Sequence, residues 1–210
     1  MTTNADSACR LFLVRHGQST WNADGRWQGR ADPPLSELGA QQAEDVVSVL
    51  HRRFGAHMPV SRIWASPLMR AHQTADTIGR GLGLDLDFDS RLQEVDAGEW
   101  TGLTRDEIEA GWPGYLAEYK RPPGFETHDS LVARALEVLG EIAAESTGKV
   151  LVITHGGIIG AVERHLGAEW ERTPNLGGRE LVVGPDGLEL GERFLLIDPN
   201  DVEVTVPKQI

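Results

Sequence analysis

The chain of 210 residues contains one cysteine, Cys9, so no intramolecular disulfide can hold it together and its stability must come from a buried apolar core. Cys9 precedes the first apolar run and does not sit in a nucleophile-like turn, which makes it incidental to any chemistry. No low-complexity tract interrupts the chain, and no apolar run approaches the ~20 residues that a membrane-spanning helix needs. The first ten residues are polar and lack the apolar segment of a signal peptide, so a cytoplasmic location is expected. Positive charge is also scarce: 20 lysines and arginines stand against 32 aspartates and glutamates, a formal charge of −12. Nucleic acid and anionic membrane are therefore not expected partners, because phosphate backbones reward clustered cations. An anionic small molecule would need a local basic pocket set against an unfavourable overall field.

Apolar residues make up 40% of the chain, enough to bury one α/β domain over residues 1–210. The run Leu11-Phe12-Leu13-Val14 reads as a short strand buried on both faces, and it stops abruptly at Arg15-His16-Gly17. Ligands of open α/β sheets bind beyond the carboxyl ends of the strands, so Arg15 and His16 are expected in a crevice. Gly17 would permit a tight turn and a close approach of whatever binds there. The design returns at Lys149-Val150-Leu151-Val152-Ile153-Thr154, followed by His155-Gly156-Gly157 and an amphipathic helix over 158–166. Two strand-end histidines can face one crevice, although such a histidine taken alone is more often a hydrogen-bonded structural residue.

Between these two points the loop chemistry of residues 21–34 gives way to a helix from Glu37, capped by Ser36. A strand over 60–65 ends at Ser66-Pro67, a helix start with Pro in the first position, and that helix carries Arg70 in its first turn. A cation there opposes the helix dipole, which is easier to understand as phosphate binding than as stabilisation. Gly81 and Gly83 close the helix before an extended run over 84–88. Thr104-Arg105-Asp106-Glu107 is a capping box, residues 112–127 form a Gly- and Pro-rich lid or rim, and Asp129 or Ser130 caps a helix over 131–144. Strands over 179–183 and 193–197, with a turn at Pro185-Asp186-Gly187, finish the sheet. Trp21, Trp27, Trp100 and Trp112 are expected to pack and not to serve as substrate platforms.

Several stretches, in order, carry a resemblance: Arg15-His16-Gly17-Gln18-Ser19 with Asn22, then Trp27-Gln28-Gly29, then Ser66-Pro67-Leu68-Met69-Arg70. Glu94, Gly98, Trp100 and Gly102 follow, and His155-Gly156 comes last. From about Leu11 to Gly160 the chain resembles the histidine phosphatase superfamily, the group that includes the phosphoglycerate mutases. The resemblance implies a three-layer α/β sandwich with a mostly parallel central sheet flanked by helices. It implies that His16 is the nucleophile, forming a phosphohistidine, and that Arg15, Arg70 and a protonated His155 hold the phosphoryl oxygens with the amides after Gly156. It makes Glu94 the general acid, although Asp96 and Glu99 lie close by, and it brings Asn22, Gln28 and Gly29 to the mouth of the site. No metal and no cofactor are implied.

The activity so implied is hydrolysis of small phosphomonoesters such as sugar or carboxylic acid phosphates. The alternative is a cofactor-dependent phosphoglycerate mutase, but mutases of this family carry a longer and more basic insertion before the second histidine. Here residues 103–149 are few and mainly offer Lys120-Arg121. A catalytically silent binding module gains little support, because every expected catalytic position is filled. Pro122-Pro123-Gly124-Phe125-Glu126-Thr127 stands where many relatives have Gly-Gly-Glu-Ser, which places Phe125 at the pocket rim, and Pro174-Asn175 opens a segment that matches only loosely. The size is compatible with a monomer or a homodimer.

Overall fold

The computed structural model of the chain describes residues 9–54, 60–184 and 187–208. Six strands form one sheet: β1 (Arg10–Arg15), β2 (Val60–Ala65), β3 (Leu86–Phe88), β4 (Lys149–Thr154), β5 (Gly177–Gly184) and β6 (Gly187–Leu195). Their order is β3-β2-β4-β1-β5-β6. The first four run parallel, while β5 pairs antiparallel with β1 and β6 antiparallel with β5. The sheet is thus mostly parallel, with an antiparallel hairpin along one edge. The turn expected at 185–187 falls largely outside the described residues.

Six helices accompany the sheet: α1 (Thr20–Ala23), α2 (Glu37–Phe54), α3 (Met69–Leu82), α4 (Arg105–Gly111), α5 (His128–Glu145) and α6 (Gly156–His165). β4 shows why both faces are covered. Its alternate residues Val150 and Val152 join α5 and α6 through Leu131, Leu139, Ile158 and Val162. Leu151 and Ile153 point the other way, towards Val46 and Leu50 of α2 and Ala71, Ala75 and Ile78 of α3. An apolar run without alternation therefore becomes the central strand of a three-layer sandwich. A third cluster, Trp27, Ala97, Trp100 and Ile108, sits outside these layers under the rim. The tryptophans expected to pack do so, with Trp27 and Trp100 edge to face at 5.2 Å.

The boundaries differ from the sequence reading in instructive places. α3 starts at Met69 and not at Pro67, because Ser66 Oγ accepts from the Leu68 amide while Asp32 Oδ1, arriving from a distant loop, accepts from the Met69 amide. Thr127 caps α5 in place of Asp129 or Ser130, its hydroxyl accepting from the Ser130 amide. Gly81 lies inside α3, where an added Cβ would meet Val47 of α2 at 2.6 Å, and the left-handed Gly83 ends the helix. The loop expected from residue 21 begins instead with the single turn of α1, closed by a capping box between Ser19 and Asn22. Phe125 is no free rim residue, since it packs 6.0 Å from Trp100 and 6.4 Å from Trp27. Among the described residues no helix is long and apolar enough to cross a membrane.

Candidate active site

β1 and β4 are neighbours with Arg15 level with Thr154, so the residues after them emerge side by side. The His16 amide donates to the Thr154 carbonyl at 3.0 Å, and the His16 and His155 rings lie 5.1 Å apart, edge to face. Both are almost wholly buried, as are Arg15, Arg70 and Glu94. The cleft beside them is lined by Arg15, Asn22, Arg26, Trp27, Gln28, Gly29, Glu94, Val95 and Ala97, and it is tight, with a volume of about 10 Å³.

His16 is held in one tautomer. Its Nδ1 lies 2.6 Å from the Gly17 carbonyl, an acceptor that keeps the proton on Nδ1 and leaves the Nε2 lone pair free. Nε2 in turn accepts from Arg70 Nε at 3.2 Å. Arg70 is fixed by the loop after α1, Nη1 donating to Ala31 O at 2.8 Å and Nη2 to Gly29 O at 2.9 Å. The Gly29 carbonyl therefore anchors Arg70, and its positive φ brings it so near Ala97 that a Cβ would sit 2.7 Å from that amide. Gly17 also approaches Gly39 at the start of α2, where a Cβ would lie 2.7 Å from the Gly39 carbonyl.

His155 is partnered on one side only. Its Nε2 is 2.8 Å from Ser66 Oγ, while Nδ1 is buried without a hydrogen bond. Arg15 shares this condition: Nη1 donates to Thr173 O at 2.7 Å, but the buried Nε has no acceptor. The Arg15 guanidinium lies against Gly156, where a Cβ would come within 3.1 Å of it. Orphaned buried polar groups cost about 1–3 kcal/mol each, so two on adjacent side chains mark a place for an incoming acceptor.

Glu94 follows a 3-10 turn at Ser90–Leu92. Its Oε1 accepts from the Val95 amide at 2.8 Å and its Oε2 from the Gly157 amide at 3.1 Å, which ties it to the start of α6. Gly157 must be glycine here, because a Cβ would collide with the Glu94 carboxyl. Asp96 and Glu99 are not in this position: the Asp96 carboxyl accepts from the Gly98 amide, and neither residue lines the cleft.

Burial and neighbouring cations set the charges. Burial first, then Arg70 and Arg15, push the His16 pKa well below its ordinary 6.5, against a smaller opposing pull from the Gly17 carbonyl. Burial, Arg70, His16, Arg15 and Arg134 push His155 the same way. Two guanidinium groups and burial thus oppose a positive charge on His155 in the site as it stands, whereas the expected protonated ring is that of the site with a phosphoryl group bound. Arg15 and Arg70 are lowered to about 10, mainly by burial with Glu94 opposing, and stay cationic at neutral pH.

Asn22 and Gln28 belong to the frame of the cleft. Ser19 Oγ donates to Gln28 Oε1 at 2.7 Å, and Asn22 Oδ1 accepts from the Ser19 amide at 3.3 Å. Sequence reasoning missed several supports. Asn175 Nδ2 donates to the His16 carbonyl at 2.8 Å, and the Thr74 hydroxyl accepts from the Gly17 amide at 3.1 Å. Arg134 of α5 reaches the carbonyls of Arg91, Gln93 and Glu94 and pairs with Glu126, whose Oε2 also accepts from the Asp96 amide. One guanidinium thus clamps the loop that carries Glu94. Asn175 had a faint signal in its Pro174-Asn175 start, whereas Arg134 had none.

Comparison with known proteins finds similarity over most of the chain. The profile of the histidine phosphatase superfamily, branch 1, matches residues 11–180. Glucosyl-3-phosphoglycerate phosphatase of Mycobacterium tuberculosis is 35% identical over 189 residues, covering 81% of each chain. Phosphoserine phosphatase 1 of Hydrogenobacter thermophilus is 33% identical over 153 residues and 70% of each chain. The solved structure of mycobacterial glucosyl-3-phosphoglycerate phosphatase with VO3 superposes with a TM-score of 0.76 at 30% identity, covering 87% of this chain and 96% of the other. With its sheet, its paired strand-end histidines and these matches together, the chain belongs to the histidine phosphatase superfamily.

Proposed function

We propose that the chain is a metal-independent phosphatase of small phosphomonoesters, such as sugar or carboxylic acid phosphates, working through a phosphohistidine on His16. The observation that carries this reading is the His16 ring, neutral and locked through Nδ1 with Nε2 presented beside two buried nitrogens, Arg15 Nε and His155 Nδ1, that have no partner. The Nε2 lone pair attacks phosphorus, the P–O ester bond breaks, and Glu94, having taken the proton that a monoanionic ester brings, delivers it to the departing oxygen. Water then attacks the phosphohistidine, Glu94 takes its proton, and inorganic phosphate leaves as His16 is restored.

Arg15, Arg70 and His155 hold the phosphoryl oxygens throughout, with charge-assisted bonds from the two arginines. A phosphoryl oxygen takes over the donation that Arg70 Nε makes to His16 Nε2, which releases that lone pair for attack. If Ser66 Oγ–H donates to His155 Nε2, the orphaned Nδ1–H supplies a further donor, and the phosphoryl dianion raises the basicity of the ring. The relatives are named for glucosyl-3-phosphoglycerate and phosphoserine, which supports small phosphate esters as the substrate class.

The test is phosphate release from a panel of phosphomonoesters in excess chelator, beside a phosphoglycerate mutase assay with added bisphosphate. Hydrolysis that survives the chelator and disappears in His16→Ala is the expected result. Isomerisation without phosphate release would make the protein a mutase, and silence in both assays would leave a binding role.

A further inference from the structure

Most arginines of this acidic chain hold a carboxylate within 4.0 Å, as Arg91, Arg134, Arg179 and Arg193 do. Outside the site, Arg105 and Lys208 have no such partner among the described residues. Both line one open cleft of about 520 Å³, together with Arg172 and Val206. No carboxylate lines it. Arg105 occupies the first position of α4, where a cation opposes the helix dipole, so helix stability does not explain its placement. Arg172 stacks on Trp170 at 5.0 Å, and the apolar Val206 is half exposed beside it.

Three of the four residues that line this cleft lie one residue from a support of the candidate active site, and Lys208 lies three residues from Thr205. Arg105 follows Thr104, which bridges to Arg26, a lining residue of the catalytic cleft. Arg172 precedes Thr173, whose carbonyl accepts from Arg15. Val206 follows Thr205, whose hydroxyl donates to Asn175, which in turn holds the His16 carbonyl. Consecutive α-carbons are ~3.8 Å apart, so the segments that carry Arg105, Arg172 and Val206 into this cleft are the ones that also brace the phosphoryl site.

We propose that this cleft is a subsite for a second anionic group of the substrate, a carboxylate or a second phosphate, with Arg105, Arg172 and Lys208 as its cations and Val206 against the carbon skeleton. The inference rests on the phosphatase reading and narrows its substrate class to bis-anionic esters. A net charge of −12 repels such substrates from most of the surface, and a local basic mouth focuses them onto the one place where they can react.

The experiment compares kcat/KM within matched pairs of esters that differ only in the second anion. 3-Phosphoglycerate is set against glycerol 3-phosphate, and fructose 1,6-bisphosphate against fructose 6-phosphate. Wild type, Arg105→Ala and Lys208→Ala are used, with thermal melting as a folding control. The expected result is that wild type prefers the bis-anionic member of at least one pair, and that each variant lowers this preference about tenfold, the effect of one charge-assisted bond. Loss in the glycerate pair identifies a carboxylate subsite, and loss in the hexose pair a phosphate subsite. Equal losses for both members of each pair, or no change in either preference, overturn the proposal. A folded wild type that releases phosphate from none of the four esters and from none of the wider phosphomonoester panel would sink the phosphatase reading itself.

Discussion

The carboxyl ends of β1 and β4 share one design, apolar strand then histidine then glycine, yet they hold their histidines differently. The β1 ring is locked from its own backbone, Nδ1 to the Gly17 carbonyl, with Nε2 facing Arg70. The β4 ring is held from another strand's end, by Ser66 after β2, and keeps Nδ1 unpartnered. A ring with Nδ1 tied to a carbonyl presents its Nε2 lone pair, whereas a ring tied through Nε2 to a hydroxyl leaves Nδ1 for another partner. Two equivalent positions in the sheet thus present their rings by opposite nitrogens.

The strongest way to break this comparison is to remove each ring in turn. His16→Ala is expected to lower kcat by about 10⁴-fold or more, since it removes the bond-forming atom. His155→Ala removes one preorganised donor and is expected to cost about 10²- to 10³-fold in steady-state turnover. Equal losses would mean that the two strand ends are not differentiated. Gly157→Ala places a methyl group where the Glu94 carboxyl sits, so kcat for alkyl phosphates should fall about 10²-fold. Turnover of p-nitrophenyl phosphate, whose leaving group needs no proton, should fall much less, and parallel losses would count against Glu94 as the acid.

Ser66→Ala sharpens the contrast at smaller cost, because it frees His155 Nε2 without touching His16. An approximately tenfold loss of kcat is expected, with Ser66→Thr restoring part of it. The smallest effect concerns pH. Both rings have folded pKa values below their ordinary 6.5, so below that pH the unfolded chain takes up protons that the folded rings refuse. Stability present above pH 6.5 is therefore lost on acidification. Urea melts at pH 7.5 and 5.5 should show this loss, and His155→Asn should reduce it.

Legibility differed in the same way across the molecule. The two strand ends could be read because the apolar runs, the histidines and the glycines are contiguous, and a contiguous stretch fixes its own geometry. Glu94 could be chosen over Asp96 and Glu99 only through family spacing, since what singles it out is the Gly157 amide, 63 residues away. The start of α3 was misplaced because its cap, Asp32, comes from another loop. The clamp of Arg134, the contact of Ser66 with His155 and the cleft of Arg105, Arg172 and Lys208 were invisible for the same physical reason. Their partners are brought together by the sheet order and not by sequence neighbours.

The account stands most directly on where the phosphoryl group goes. Wild type and His155→Ala, mixed with a phosphomonoester in chelator and quenched within the first turnover, would be digested and the modified residue located by mass spectrometry. Phosphate on His16 in both proteins, with none in His16→Ala, is the predicted result. Label on His155, or turnover by wild type with no labelled histidine at any time, would contradict it.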